Sequence, residues 1–297
     1  MTSLIFRAKD RILELGERTA IMGVVNVTPD SFVASSRYPE PEAAVEAALR
    51  LIEAGADIVD LGGESTRPGA SPVPFEEEAR RVLPVVARLR ARSGALISVD
   101  TRKAEIAERA LGEGADVVND ISALEGDPRM ARVVADAGAG LVLMHMKGIP
   151  ETMQHEPRYD DVVAEVREFL GRAIVAAEGA GVRADSILVD PGIGFGKTLA
   201  HNLMLLHRLP VLSELGKPIL VGTSRKSFLG RLIPGDAEKR LLATAASVAS
   251  AVLLGASVVR VHDVKEMREV VVVADAIRNE RPISPSSTGE IAEGISR

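Results

Sequence analysis

Ile187-Leu188-Val189-Asp190 (ILVD) is short, wholly apolar up to its last residue, and ends on a carboxylate. A continuous run of branched side chains without polar alternation reads as a strand buried on both faces, which belongs to a parallel sheet covered by helices. The same design recurs along the chain: MGVVN ends on Asn26, DIVD on Asp60, LISVD on Asp100, DVVN on Asn119, LVLMH on His145, ILVGTS on Ser224 and VVRVH on His262. With helical stretches between the runs, eight β–α units follow one another. They predict an α/β fold of the TIM (β/α)8 barrel type, in which reactive side chains sit at the C-terminal ends of the strands. Nearly every unit here carries a polar or ionisable residue at that place, so the chain reads as an enzyme.

The helices are expected near 41–54, 75–92, 103–112, 128–137, 160–180, 199–215, 237–254 and 265–279. A weak repeat accompanies them, because Gly-Ala closes a helix and opens a strand at Gly55-Ala56, Gly114-Ala115, Gly138-Ala139 and Gly255-Ala256. Glycine suits the position just past a helix end, where left-handed φ is required. Ahead of the first unit, LIFRAKDRILELGERT (4–19) holds two short runs around Lys9-Asp10 and predicts a β-hairpin at the bottom of the barrel. A barrel of this kind needs about 250 residues. The 297 residues therefore divide into one barrel domain over 1–280 and a Pro/Ser/Gly-rich tail over 281–297 expected to be disordered.

Composition narrows the function. No Cys is present, which excludes disulfides, Cys-ligated zinc and thiol nucleophiles. A net charge of −6 with 3% aromatics argues against a nucleic-acid surface, so local basic residues are read for small anionic ligands. Neither a signal peptide nor a long apolar run is seen, giving the expectation of a soluble cytoplasmic protein with no membrane partner.

Two loops on the catalytic face, 28–39 and 62–74, are long enough to close over a substrate. The second, Gly62–Gly69 (GGESTRPG), offers the Arg67 guanidinium with the Ser65 and Thr66 hydroxyls, a set suited to an anion. The bland alternative is a Pro/Gly turn with a solvated Arg. Asp190–Thr198 (DPGIGFGKT) invites a nucleotide-loop reading that fails on spacing, since Pro191 stands where a P-loop needs glycine. What remains is a strand-end carboxylate and glycines that would let a ligand approach the backbone. The seventh and eighth strands finish in Thr223–Ser227 (TSRKS) and Arg260-Val261-His262; loops at these places form phosphate sites in many barrels. Asp100, Asn119 and Asp190 form a polar set that suits a flat heterocycle rich in N–H donors. Ligation of Mg2+ or Mn2+ is the rival reading, although neither HxH nor HExxH spacing occurs. For His145 a structural role is as well supported as a catalytic one.

These motifs together resemble the dihydropteroate synthase family over about 19–277. The matching strings are MGVVNVTPDSF (22–32), GADIVDLGGESTRPGA (55–70), ISVDTRKAEIA (97–107), VVNDIS (117–122), LVLMHMKG (141–148), LVDPGIGFGKTLAHNL (188–203), VGTSRKSFLG (221–230) and VVRVHDV (258–264). The resemblance implies condensation of 6-hydroxymethyl-7,8-dihydropterin diphosphate with 4-aminobenzoate, with diphosphate leaving before the amine attacks the pterin methylene. It implies a pterin pocket of Asp100, Asn119, Asp190, Lys226 and Arg260, with Asp190 accepting from the amino group and ring N–H and Lys226 donating on the carbonyl side. It further implies that Asn26, Thr66, Arg67, Arg260 and His262 hold the diphosphate, and that Asn26 also touches Mg2+. Pro68, Phe195, Lys226 and Ser227 would line the 4-aminobenzoate side, and Asp100, Lys226 and Arg67 would act on the reaction itself. A homodimer through barrel helices is implied as well. One departure is plain: the family continues TPDSF with Ser-Asp-Gly-Gly, whereas this chain has Val33-Ala34-Ser35-Ser36, so the usual loop Asp is Ala34. Two competing readings share the pterin pocket. A methyltetrahydrofolate:corrinoid methyltransferase would need no diphosphate site, and a catalytically weak paralogue would bind pterins without turnover.

Overall fold

A computed structural model describes residues 4–27, 40–233 and 240–282. The first loop, with Ala34 and its neighbours, and the tail from 283 lie outside the described residues. The eight apolar runs form one parallel sheet: β3 (Ala20–Asn26), β4 (Ile58–Gly62), β5 (Leu96–Asp100), β6 (Val117–Asp120), β7 (Gly140–Met144), β8 (Ile187–Asp190), β9 (Leu220–Val221) and β10 (Val258–Val261). They are ordered β8-β7-β6-β5-β4-β3-β10-β9. A single parallel bridge, Val189↔Ile219, joins the two ends and closes the barrel.

Alternation along the strands divides their side chains between two cores. Ile21, Val59, Ile97, Val118, Leu141, Val189 and Val259 face outward and pack under the helices. Met22, Ile58, Leu96, Val117, Val142, Leu188, Leu220 and Val258 fill the barrel interior near its N-terminal end. The hairpin of β1 (Leu4–Ala8) and β2 (Arg11–Leu15), paired from Leu4↔Leu15 to Ala8↔Arg11, plugs that end with Phe6, Ala8, Leu13 and Leu15. A Cβ at Gly140 would lie 2.5 Å from the Phe6 ring, so the plug fits only because this strand begins with glycine.

The outer layer holds α1 (Glu40–Glu53), α2 (Phe75–Arg92), α3 (Ala104–Gly112), α4 (Met130–Asp136), α5 (Val162–Gly179), α6 (Leu199–His207), α7 (Ser227–Leu232), α8 (Leu241–Leu253) and α9 (Val264–Arg278). The Gly-Ala repeat ends four of them as expected. Gly55, Gly114, Gly138 and Gly255 all have positive φ. In each case the following Ala N–H returns to a carbonyl five residues back, on Leu51, Ala110, Val134 and Ala251, as in a Schellman closure. The expected helix 199–215 is broken. It stops at His207 and continues as a 3-10 turn over Leu209–Leu215, because Pro210 has no N–H and disfavours helical backbone before it. The short α7 on the catalytic face was not expected. Among the described residues no helix is long and apolar enough to cross a membrane.

Candidate active site

Inward-facing residues change character along the barrel. Beyond the apolar floor the inward positions are Asp60, Ser98, Asp100, Asn119, Asp190 and Arg260, with Asn26 at the end of β3 and His262 just past β10. The ladder sets them side by side, with Asp60 opposite Ser98 and Asp100 opposite Asn119. The resulting cavity encloses about 540 Å³, within the usual range for small-molecule sites. Every residue that the sequence nominated lines it: Asn26, Thr66, Arg67, Pro68, Asp100, Asn119, Asp190, Phe195, Lys226, Ser227, Arg260 and His262. His145 does not.

The deep end is a network of carboxylates around one guanidinium. Arg260 donates from Nε to Asp60 Oδ2 at 2.7 Å and from Nη2 to Asp100 Oδ2 at 2.9 Å. Asn119 Nδ2 donates to the same Asp60 oxygen at 3.0 Å. Burial pushes the Asp100 carboxyl up to about 7; Arg260 opposes the rise and the Asp60 charge adds to it. Burial also pulls Arg260 down, but Asp60 and Asp100 more than compensate and hold it above its usual value. Asp190 accepts the Gly192 N–H on Oδ1 at 2.7 Å, and burial raises its carboxyl. Lys226 stands across from these acids, its ammonium 3.9 Å from the centroid of the Phe195 ring. Burial, reinforced by Arg260, lowers it to about 8.

The rim carries donors. Arg67 and Pro68 are exposed on the second loop, where the Ala70 N–H closes a turn on Arg67 O. Glu64 clamps this loop: Oε2 accepts the Val73 N–H at 3.1 Å and pairs with Lys103 at 2.7 Å, while Oε1 pairs with Arg102 at 2.6 Å. Ser224 Oγ accepts the His262 backbone N–H at 3.2 Å and lies 3.1 Å from the ring Nδ1. Burial, with Arg260 and Arg225 nearby, lowers His262 to about 3. His262 is therefore neutral at physiological pH, and it offers an anion an N–H dipole, not a charge.

Of the glycines after β8, Gly192 and Gly194 line the cavity, as the sequence implied. A Cβ at Gly192 would lie 1.9 Å from His145 O, and one at Gly196 would lie 2.3 Å from Lys147 O. Gly192 and Gly196 thus also admit the neighbouring loop's backbone. They bring Lys197 inside, where Nζ donates to Phe195 O at 2.9 Å and sits 2.9 Å from His145 Nδ1. Burial, with Lys197 beside it, drops His145 to about 2, so the ring is a neutral acceptor that braces the Phe195 loop. In this place His145 holds Lys197 and stands outside the cavity lining. Sequence reading also missed Ile121, Met144 and Met153, which form one apolar wall with Phe195. Asp60 was seen only as a strand end; its alternation with Ile58 was the signal that it faces inward. No cluster of three or more His, Asp or Glu side chains is placed to hold a metal among the described residues.

Residues 22–262 match the model of a family described as pterin binding enzyme. The dihydropteroate synthase of Synechocystis sp. is 43% identical over 267 residues, covering 90% of this chain and 92% of its own. The structure of Xanthomonas albilineans dihydropteroate synthase with 4-aminobenzoic acid is similar at a TM-score of 0.87 and 47% identity, covering 93% of this chain and 99% of that one. The same enzyme in complex with 7,8-dihydropteroate gives a TM-score of 0.82 at 43% identity, covering 92% and 98%.

Proposed function

The chain belongs to the pterin binding enzymes and, among them, to the dihydropteroate synthases; from that premise we propose how its cavity divides the work. The reaction joins 6-hydroxymethyl-7,8-dihydropterin diphosphate to 4-aminobenzoate and releases 7,8-dihydropteroate and diphosphate. One observation carries the assignment of roles: the acceptors Asp100, Asn119 and Asp190, the buried donors Lys226 and Arg260, and the donors Thr66, Arg67 and His262 all line a single cavity. Asp100, Asn119 and Asp190 accept from the pterin N–H groups, and Lys226 donates to its carbonyl side. Asn26, Thr66, Arg67 and the neutral His262 surround the diphosphate. Arg260 takes part from below, through its pairing with Asp100. Phe195, Pro68 and Ser227 border the place for 4-aminobenzoate.

Diphosphate leaves first and the amine then attacks the pterin methylene. Donors fixed in advance at the rim stabilise the departing negative charge without reorganising, which is the largest effect available in such a site. The ionised form of Asp100 faces the positive charge that develops on the pterin. The apolar wall of Ile121, Met144 and Met153 keeps water from that cation. Mg2+ commonly keeps several waters and takes one or two protein oxygens together with substrate phosphates. The single Asn26 amide oxygen beside the diphosphate donors fits that donor set, and the ion when bound would neutralise part of the diphosphate charge.

We infer a homodimer through α8 and α9. Leu242, Val273 and Ile277 are 83%, 60% and 61% exposed on their outer faces, an apolar surface of the kind that marks a protein interface. Sedimentation velocity of the parent tests this, and a monomer across the micromolar range refutes it. Diphosphate release from pterin diphosphate, measured with and without 4-aminobenzoate, tests the activity. Release only when both substrates are present is expected. Absence of release would favour the methyltransferase or the weak pterin-binding paralogue.

A further inference from the structure

Asp60 lies beneath the cavity, between the apolar floor and the Asp100–Asn119 pair, and is wholly buried. Its Oδ2 receives Arg260 Nε at 2.7 Å, Arg260 Nη2 at 2.6 Å and Asn119 Nδ2 at 3.0 Å. Its Oδ1 is buried without a partner among the described residues. A buried carboxylate left half unsatisfied is costly, and a buried ion pair adds little stability over an apolar replacement. Stability therefore does not account for an acid at this place.

The chemistry of Asn119 does. A carboxylate oxygen paired with a guanidinium can only accept, so the branch of the Asn119 amide that meets it must be the NH2 group. The amide oxygen then occupies the other branch, on the cavity side. An Asn amide can turn over about its terminal torsion and exchange its donor for its acceptor unless a neighbour fixes it. Asp60 is that neighbour. The same oxygen holds two nitrogens of Arg260, which sets the guanidinium plane and leaves Nη2 on Asp100 Oδ2.

We infer that Asp60 is a specificity-determining positioning residue: it locks the Asn119 amide with its oxygen toward the cavity. Asp100, Asn119 and Asp190 thereby make a surface of three acceptors, with the donors Lys226 and Arg260 beside it. Such a surface admits a heterocycle edge that carries N–H donors and rejects one that presents lone pairs. The inference rests on the pterin reading of this cavity and deepens it, since Asp60 itself touches no ligand.

A double-mutant cycle tests it, with the dissociation constant of 6-hydroxymethyl-7,8-dihydropterin measured by calorimetry on the parent, Asn119→Ala, Asp60→Leu and the double variant. Loss of one acceptor should weaken binding about tenfold in each single variant. Because Asp60 acts through Asn119, the double variant should be weaker than Asn119→Ala by no more than about threefold. Losses that multiply, or an Asp60→Leu variant that binds like the parent, overturn the assignment. If Asp60→Leu does not fold, neutron diffraction from the deuterated parent bound to the pterin decides: nitrogen of Asn119 toward Asp60 supports the inference, and oxygen there refutes it. A parent that binds no pterin at all overturns the pterin reading together with this one.

Discussion

Replacing Asp190 by Asn exchanges one oxygen for an NH2 group at a position whose orientation the backbone dictates. The Gly192 N–H lies 2.7 Å from Asp190 Oδ1. In the variant the amide oxygen must stay with that donor, because the reverse orientation sets N–H against NH2. The NH2 group then faces the pterin, donor against donor. The loss comprises one charge-assisted hydrogen bond, about 1.5–3 kcal/mol, and an unsatisfied buried donor, about 1–3 kcal/mol. At about 1.4 kcal/mol per decade, pterin affinity should fall by roughly two to four orders of magnitude. Folding should not suffer. Burial raises the Asp190 carboxyl above its ordinary value, so folding imposes a cost on its charged form. A neutral amide removes that cost. Calorimetric titration with 6-hydroxymethyl-7,8-dihydropterin measures the first effect and thermal melting the second. Affinity within threefold of the parent would refute the placement of Asp190 against the pterin.

The other predictions concern the plug, the titrating pair and the rim. Gly140→Ala should destabilise the fold by about 1–3 kcal/mol, the cost of overpacking against the Phe6 ring; urea unfolding measures it, and Phe6→Leu should restore part of the loss. Asp100 stands at about 7 and Lys226 at about 8. If the reaction uses the first ionised and the second protonated, kcat/KM for pterin diphosphate should form a bell, falling as pH drops below about 7 and again as it rises above about 8. A flat profile from pH 5.5 to 9 would remove both groups from these roles. His262→Ala removes one N–H dipole from the rim and should weaken inhibition by diphosphate about tenfold, the worth of one hydrogen bond to a charged group, while leaving bare pterin affinity unchanged. Equal inhibition of parent and variant would take His262 out of the diphosphate site.

Much of this molecule was written locally in its chain. The apolar runs, the Gly-Ala helix ends and the hairpin need only near neighbours, and period-two alternation alone places Asp100, Asn119 and Asp190 at the inner strand ends. The motifs carried the family, and the resemblance nominated residues that all line one cavity. Other features depend on closure of the ring. Arg260 lies on the last strand and Asp60 on the second, and they meet because β10 and β4 both border β3. No local pattern announces that Asp60 fixes the Asn119 amide, or that the glycines after β8 make room for a neighbouring loop. The neutrality of His262 and His145 is likewise collective, since it arises from desolvation and from charges brought close by distant segments. The sequence by itself determined which side chains face inward and the order in which they arrive, because alternation is a property of each strand. Only the tertiary structure decided which of them share a proton, a hydrogen bond or a charge, because those depend on distances that exist once the barrel has closed.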